Sequence, residues 1–431
     1  MKGDIFMNIE EYFDNFYKGT KNPTLKAMEY FMEELNHPEE KLKVIHIAGT
    51  NGKGSTTEML ANILTKNGYK VGKYISPHLI KYNERISVNG QDITDKEMED
   101  IIEKLKDKIE KYNKLSGTKV TLFELLTTMA LYYFKEKKCD FVVLETGLGG
   151  LYDCTNIVWP LVSIITSIGY DHMAILGETL EEITVQKAGI IKQNSNTVII
   201  EQKEMIQKII EENCKSKNNT LTVVKKEDIK NKNYQDEFLT FDYKENKNIK
   251  LNLKGDKQFE NASLCLETIN ILRKKEHKIL EKAVKEGLST VIHKARFETI
   301  NKEPKIIYDG GHNEEAILNF INTVNTYYKK EEKIYIISIL KTKDYKTELK
   351  HLLKDENSTF IFTSGNDEKR YVSSEELYET ARKMTSNENL YQKTLQDAIL
   401  YIQSQRKKVS FIVGSFYIYG DVIKMIKNKI L

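Results

Sequence analysis

The sequence predicts an α/β protein in two domains. The larger, over residues 1–294, has a mostly parallel sheet and a small antiparallel subsheet, and a smaller α/β domain covers 295–431. Three observations predict this. The apolar run Val44-Ile45-His46-Ile47-Ala48 breaks into a glycine loop and then into a helical pattern, with Met59, Leu60, Ile63 and Leu64 on one stripe. Short apolar runs at Phe141–Leu144, Leu161–Thr166 and Thr197–Ile200 alternate with helical stretches, which is the pattern of a parallel sheet covered on both faces. Between Val291 and Ala295 the alternation restarts, with strands at 306–308, 333–340, 359–363 and 409–413 and a last helix at 418–430.

The other elements follow in order. Residues 9–36 read as helix from Tyr12, Phe13, Phe16, Leu25, Met28, Phe31 and Leu35. Lys70–Ile75 reads as a second strand ended by Ser76-Pro77-His78. Residues 79–93 are polar and read as a long loop of the kind that forms lids. Helices are expected at 95–113 and 121–135, the second opened by a capping box of Thr121 and Glu124. Residues 179–192 form a helix carrying Lys187. From residue 221 the period changes to two. Leu239, Phe241 and Tyr243, then Ile249, Leu251 and Leu253, read as a hairpin at the edge of the parallel sheet. Helices at 259–272 and 279–286 close the larger domain.

The glycine loop Gly49-Thr50-Asn51-Gly52-Lys53-Gly54-Ser55 carries chemistry. Glycines let backbone N–H groups approach a phosphate closely, and the following helix offers its positive dipole end. Lys53 adds a full charge. The longer form G-x-x-x-x-G-K-[ST] is not met, because Ile47 stands at its first glycine and Gly54 follows the lysine. Lys53, Ser76, Glu145 and His172 each come just after a strand, where open parallel sheets bind ligands.

Composition excludes several classes. The 66 basic and 63 acidic residues leave a net charge of +3, too little for nucleic-acid or membrane-surface binding by bulk charge. No window has the apolar length of a membrane span, and Met1–Met7 lacks the apolar core of a signal peptide. Cys139, Cys154, Cys214 and Cys265 form no C-x-x-C pair, as expected of reduced thiols in a cytoplasmic protein.

Nine stretches together resemble the folylpolyglutamate synthases and bifunctional dihydrofolate synthase/folylpolyglutamate synthases of the Mur ligase superfamily. They are Gly49–Ser55, Ser76–Leu79, Asn83–Ile86, Glu145–Asn156, Ser167–His172, Lys187–Ile191, Gln258 with Asn261, Arg296–Glu298, and Asp309–Asn313. The resemblance implies a P-loop ATP-binding domain followed by a Rossmann-like glutamate-ligase domain. It implies that ATP phosphorylates a pteroate or folate carboxylate and that L-glutamate's amine then displaces the phosphate. Phosphoryl transfer between anions is mostly positioning and charge neutralisation. By resemblance Gly49, Thr50, Asn51, Gly52, Lys53, Gly54 and Ser55 hold the nucleotide phosphates. Gln258 and Asn261 meet the adenine, and Arg296, Asp309 and His312 complete the ATP site. Ser76 and Glu145 hold one Mg²⁺. Glu145, His172 and Lys187 hold a second, with Lys187 carbamylated so that it offers oxygen. Lys53, His172 and Lys187 are thereby the catalytic set. Arg85 and Asp153 face the substrate, and the implied enzyme is a monomer.

The chain departs from the family where Leu151, followed by Tyr152, stands at the usual arginine after Gly149-Gly150, where Asp256-Lys257 replace the usual basic residue and histidine before Gln258, and where Gly311 and Glu314 replace the usual alanine and proline. These leave the phosphate and metal residues in place. Two other readings compete with this one. A cell-wall Mur ligase needs an N-terminal nucleotide-sugar domain, for which about 43 residues are too few. The other is a nucleotide-driven switch or transport ATPase: a GTPase would carry N-K-x-D, which does not occur, and ATP hydrolysis that ignores glutamate would favour this reading.

Overall fold

The structure, a computed structural model, describes residues 8–17, 23–235, 237–365, 367 and 369–427. It divides into two compact units. One comprises Met1–Asn231, Phe241–Lys250 and Glu260–Val291, the other Lys232–Thr240, Leu251–Phe259 and Ile292–Leu431.

The first unit is built on β1 (Val44–Ala48), β2 (Val71–Tyr74), β3 (Ile86–Val88), β4 (Gln91–Asp92), β5 (Phe141–Glu145), β6 (Val162–Ile165), β7 (Asn196–Ile200) and β8 (Thr220–Val224). They form one sheet in the order β4-β3-β2-β5-β1-β6-β7-β8. β2 through β8 in that order run parallel, and β3 and β4 are antiparallel additions. Every residue of β1 and β5 is buried, as parallel strands covered on both faces require. One buried cluster packs Phe13, Met28, Phe31, Leu126, Met129 and Phe134 with Val142 and Leu144. A second gathers Ala48, Ile165, Ile183, Ile190, Ile199 and Ile210.

β9 (Ile229–Tyr234), β10 (Leu239–Tyr243) and β11 (Asn246–Leu251) make a sheet of their own in the order β11-β10-β9. The expected hairpin is therefore present as β10 and β11, but it is not hydrogen-bonded to the edge of the large sheet. That edge is taken by β8, which pairs with β7 in parallel.

The second unit carries β12 (Glu298–Asn301), β13 (Ile306–Asp309), β14 (Lys333–Ile337), β15 (Thr359–Phe362), β16 (Leu390–Gln392) and β17 (Val409–Val413). Their order is β12-β13-β17-β14-β15-β16, parallel except for β12. Tyr335 stacks between Phe360 and Phe411, with centroids 5.2 and 5.4 Å away, and this stack forms part of the core.

Three expectations change. The helix read over 9–36 is two helices, Ile9–Asp14 and Lys26–Glu34, and part of the stretch between them lies outside the described residues. Residues 79–93 are not one loop. Tyr82–Arg85 form a 3-10 turn, and β3 and β4 extend the sheet through Asn89 (φ 50°) and Gly90 (φ 77°), the turn that Asn-Gly favours in tight hairpins. The helix at 179–192 ends at Ala188. Of the final helix, Tyr419–Lys427 is described, and 428–430 lie outside the described residues. Glu124 is a capping residue as expected: its carboxylate accepts from the Thr121 N–H at 2.7 Å.

Candidate active site

β2, β5, β1 and β6 are consecutive in the sheet and parallel, so their carboxyl ends share one edge. Ser76 follows β2, Glu145 ends β5, the glycine loop follows β1, and Asp171 and His172 follow β6. Sequence-distant residues are thereby delivered to adjacent positions at the place where parallel sheets bind ligands.

The loop itself is shaped by two glycines. Gly49 has φ 152° and Gly52 φ 93°, backbone that a side chain would strain. A Cβ at Gly49 would collide with the Thr166 hydroxyl, and one at Gly52 with the Asn261 amide oxygen. The segment after β6 braces the loop from the side. The Thr50 N–H donates to the Ser167 carbonyl at 2.7 Å, and the Thr166 hydroxyl donates to the Asn51 carbonyl at 2.7 Å. Thr50 Oγ1 also joins the Gly169 backbone, donating to its carbonyl and accepting from its N–H at 3.0 Å each. The helix Lys53–Lys66 starts directly after Gly52, so its first amides face the loop. Lys53 Nζ donates to the carbonyls of Gly49 at 2.9 Å and Thr50 at 3.3 Å.

Lys187 sits in the last turn of the helix Leu180–Ala188 and is buried. Its Nζ donates to the Gly49 carbonyl at 2.9 Å, across 138 residues of sequence. Burial, reinforced by the neighbouring charge of Lys53, brings this amine down from 10.5 to about 7, while Asp171 and Asp153 oppose the shift. Lys187 is thus an amine poised between charged and neutral forms. His172 takes a left-handed conformation (φ 51°) ahead of Met173, and its Nε2 lies 3.8 Å from Asp171 Oδ1.

The loop after Ser76 is organised by one carboxylate. Glu84 accepts from the N–H groups of Leu79, Ile80 and Lys81 at 2.9, 3.0 and 3.0 Å. Arg85 Nε donates to His78 Nδ1 at 2.9 Å, and its guanidinium lies over the Tyr82 ring at 5.6 Å. Arg85 is therefore tied to this loop.

Asp153 belongs to the glycine-rich stretch after Glu145. Its buried carboxylate accepts from the N–H of Leu148 at 2.8 Å, from the N–H of Thr155 at 3.0 Å and from the Thr155 hydroxyl. Burial raises its pKa, and these hydrogen bonds oppose the rise. The same stretch docks on the helix carrying Lys187. The Leu151 N–H donates to the Gln186 carbonyl at 2.7 Å, and the Asn156 amide donates to the Gly189 carbonyl at 3.2 Å. Leu151 thus contributes here through its backbone, and Tyr152 beside it is exposed.

Asn261 and Gln258, on the helix Lys257–Lys274, are both buried, with Asn261 against Gly52. In the second unit, Asp309 closes β13 and accepts from the N–H groups of Phe297 at 2.9 Å and Gly311 at 2.7 Å. Burial raises its pKa, and the charge of Arg296 pulls the other way. The Arg296 guanidinium stacks on Phe416 at 4.4 Å, and His312 packs edge-on against the same ring at 5.3 Å. His312 Nδ1 is 2.8 Å from the Gly310 carbonyl, and Asn313 caps the helix Glu314–Tyr327. Glu314 contacts His351 at 2.9 Å.

His46, Thr155, Thr166 and Glu84 are not singled out individually by the sequence pattern. A lone histidine inside a wholly apolar strand was the available signal for the first.

The donor set suits Mg²⁺ in part. Ser76 and Glu145 offer a hydroxyl and a carboxylate from neighbouring strands, and Mg²⁺ takes its remaining positions from phosphate and water. Lys187 fits only as an oxygen-bearing derivative, because an ammonium beside the ion is repelled. Among the described residues, His37, Glu39 and Glu40 are the one His/Cys/Asp/Glu trio with ligand atoms within 4.8 Å, and it lies ahead of β1.

The Mur ligase middle domain matches residues 47–269, and the dihydrofolate synthetase C-terminal domain matches 292–425. The chain is 35% identical over 415 residues to the dihydrofolate synthase/folylpolyglutamate synthase of Bacillus subtilis, covering 94% of this chain and 95% of the relative. The folylpolyglutamate synthase of Thermotoga maritima superposes with a TM-score of 0.85 at 30% identity, covering 98% of this chain and 97% of the other. E. coli FolC in complex with DHPP and ADP superposes with a TM-score of 0.82 at 26% identity, covering 97% of each chain. Among the described residues no helix is long and apolar enough to cross a membrane.

Proposed function

Because the chain belongs to the dihydrofolate synthase/folylpolyglutamate synthase family of ATP-dependent Mur ligases, we propose that it adds L-glutamate to folates and also to dihydropteroate. One observation carries the reading: four neighbouring parallel strands deliver Ser76, Glu145, the Gly49–Ser55 loop and His172 to a single edge, with Lys187 on the loop's own carbonyl.

A carboxylate oxygen of the acceptor attacks the γ-phosphorus of ATP and ADP leaves. Glutamate's amine then attacks the acyl carbon, phosphate leaves, and the amine gives up a proton. Lys53 leaves the Gly49 and Thr50 carbonyls to neutralise charge on the transferring phosphoryl group. Loop amides and Ser55 hold the other phosphate oxygens. Two Mg²⁺ sites are proposed, one on Ser76 and Glu145 and one on Glu145, His172 and carbamylated Lys187. Bound there, the ions neutralise phosphate charge. Gln258 and Asn261 serve the adenine, and Arg296, Asp309 and His312 the rest of the nucleotide. Arg85 and Asp153 act toward the acceptor, Asp153 by shaping its loop. We further propose a functional boundary between residues 294 and 295, a monomeric state and a cytoplasmic location.

The test incubates the protein with MgATP and labelled glutamate, with dihydropteroate or tetrahydrofolate in parallel. Labelled product from both is expected. Product from tetrahydrofolate alone reduces the reading to folylpolyglutamate synthase, and ATP hydrolysis that ignores glutamate and both acceptors overturns it.

A further inference from the structure

β1 carries one polar side chain into the sheet interior. His46 is wholly buried, and its Nε2 lies 2.8 Å from Thr155 Oγ1. Thr155 Oγ1 donates its single proton to Asp153 Oδ1. The hydroxyl therefore meets His46 as an acceptor, which places the imidazole proton on Nε2. His46 Nδ1 is then a bare nitrogen, and it is buried without a hydrogen-bond partner among the described residues. Burial, with Lys192 adding to it, lowers the imidazole to about 3, so it stays neutral. Asp153 in turn holds the Leu148 N–H, three residues after Glu145. The same stretch is fastened to the helix of Lys187 through Leu151 and Asn156.

We propose that His46 is a positioning residue, acting through Thr155 and Asp153 to fix the Gly147–Asp153 stretch between Glu145 and the helix of Lys187. The chain of contacts starts on the strand that ends in the phosphate loop. It sets the acceptor side of the site from the nucleotide side. An apolar residue at 46 would leave the Thr155 oxygen without the Nε2–H donor that fixes its orientation toward Asp153. The inference rests on the reading that Glu145, Lys187 and Asp153 border the ligation site.

Two kinds of measurement test it. The first does not depend on catalysis. Long-range ¹H–¹⁵N spectra of the intact protein should show His46 as the neutral Nε2–H tautomer, unchanged from about pH 5.5 to about pH 8.5. In Thr155→Val the Nε2–H signal should move. An Nδ1–H tautomer, or an imidazolium at about pH 6, overturns the proposal whatever the enzyme's substrate. The second is kinetic. His46→Leu and Thr155→Val should each lower kcat/KM for the folate-type acceptor about tenfold, with KM for ATP changed less than about twofold. The double variant should be no worse than either single one, because both break the same chain. His46→Gln keeps a donor near the Nε2 position and should recover most of the loss. Additive losses, a glutamine variant no better than leucine, or a change confined to melting temperature overturns it. Should His46→Leu not fold, Thr155→Val against Thr155→Ser carries the same comparison.

Discussion

Lys53 and Lys187 share one acceptor: each Nζ donates to the Gly49 carbonyl oxygen at 2.9 Å. Burial disfavours the charged form of Lys187, and the neighbouring charge of Lys53 adds to it. The Lys187 amine accordingly falls to about 7.

The first prediction is a linkage effect. Below pH 7 both folded and unfolded Lys187 are protonated, and the burial cost is present in full. Between about 7 and about 10.5 the unfolded lysine still holds a proton that the folded one has lost, so stability rises with pH across that window. Lys187→Met should lose this rise. Urea midpoints at about pH 7 and about pH 9 in carbon-dioxide-free buffer, where Lys187 is an amine, give the answer, with wild type gaining relative to the variant. The comparison is a difference because Lys192, lowered to about 8 by burial, contributes its own rise to both proteins. Equal gains exclude Lys187 as the source.

A neutral amine is also what reacts with carbon dioxide. Nitrogen attacks the carbon, a proton leaves, and a carbamate anion remains. Lys187→Ala should lower ligation by roughly two orders of magnitude or more, and acetate or formate should restore part of it. ¹³C-labelled carbon dioxide should give a carbamate resonance in wild type that the variant lacks. Full activity in the alanine variant removes the carbamate from the mechanism.

Lys53→Ala should lower kcat for ligation by roughly two to four orders of magnitude while the protein stays folded, because the lysine's charge is needed most in the transition state. Near wild-type turnover would contradict the phosphate-loop assignment.

Gly52→Ala forces a side chain into φ 93° and against the Asn261 amide. A loss of about 1–3 kcal/mol in stability is expected from the strained backbone, read from denaturant midpoints. KM for ATP should rise about tenfold, since loop amides set phosphate distance. An unaltered KM would show that the loop is not the phosphate cradle.

Asp309→Asn turns one of two acceptors for the Phe297 and Gly311 N–H groups into an amide donor. KM for ATP should rise about tenfold with kcat for bound nucleotide falling less, if Asp309 serves the nucleotide as proposed. A variant that loses only stability confines Asp309 to shaping the turn.

Much of this architecture is legible along the chain because buried parallel strands are continuous apolar runs. Phe141–Glu145 and Val409–Val413 are visible for that reason. β3 and β4 are not, because three and two residues carry no periodicity and the Asn89-Gly90 between them has the composition of a loop. The positions of Ser76, Glu145 and the glycine loop just beyond strand ends are legible from the strand pattern alone. That of Lys187 is not. A single lysine on a helix has no pattern, and only the return of that helix to Gly49 brings it to the glycine loop. His46 was hidden for the opposite reason, inside a run whose apolar neighbours explained the strand without it.

β1 takes its two hydrogen-bonded neighbours from far downstream: Val44 pairs with Val142, and Ile45 with Val162. During synthesis the phosphate loop therefore leaves the ribosome long before the strands that flank it. It cannot be braced by Thr166, nor capped by Lys187, until those residues have been made. Because translation proceeds from the N-terminus at about 5–20 residues per second, the glycine loop spends several seconds as an exposed, unsupported segment. Premature termination between Ser55 and Val162 leaves a polypeptide with the whole glycine loop and none of the segment after β6 that braces it. Such fragments should be inert toward ATP and pass to the cell's proteases rather than compete for nucleotide.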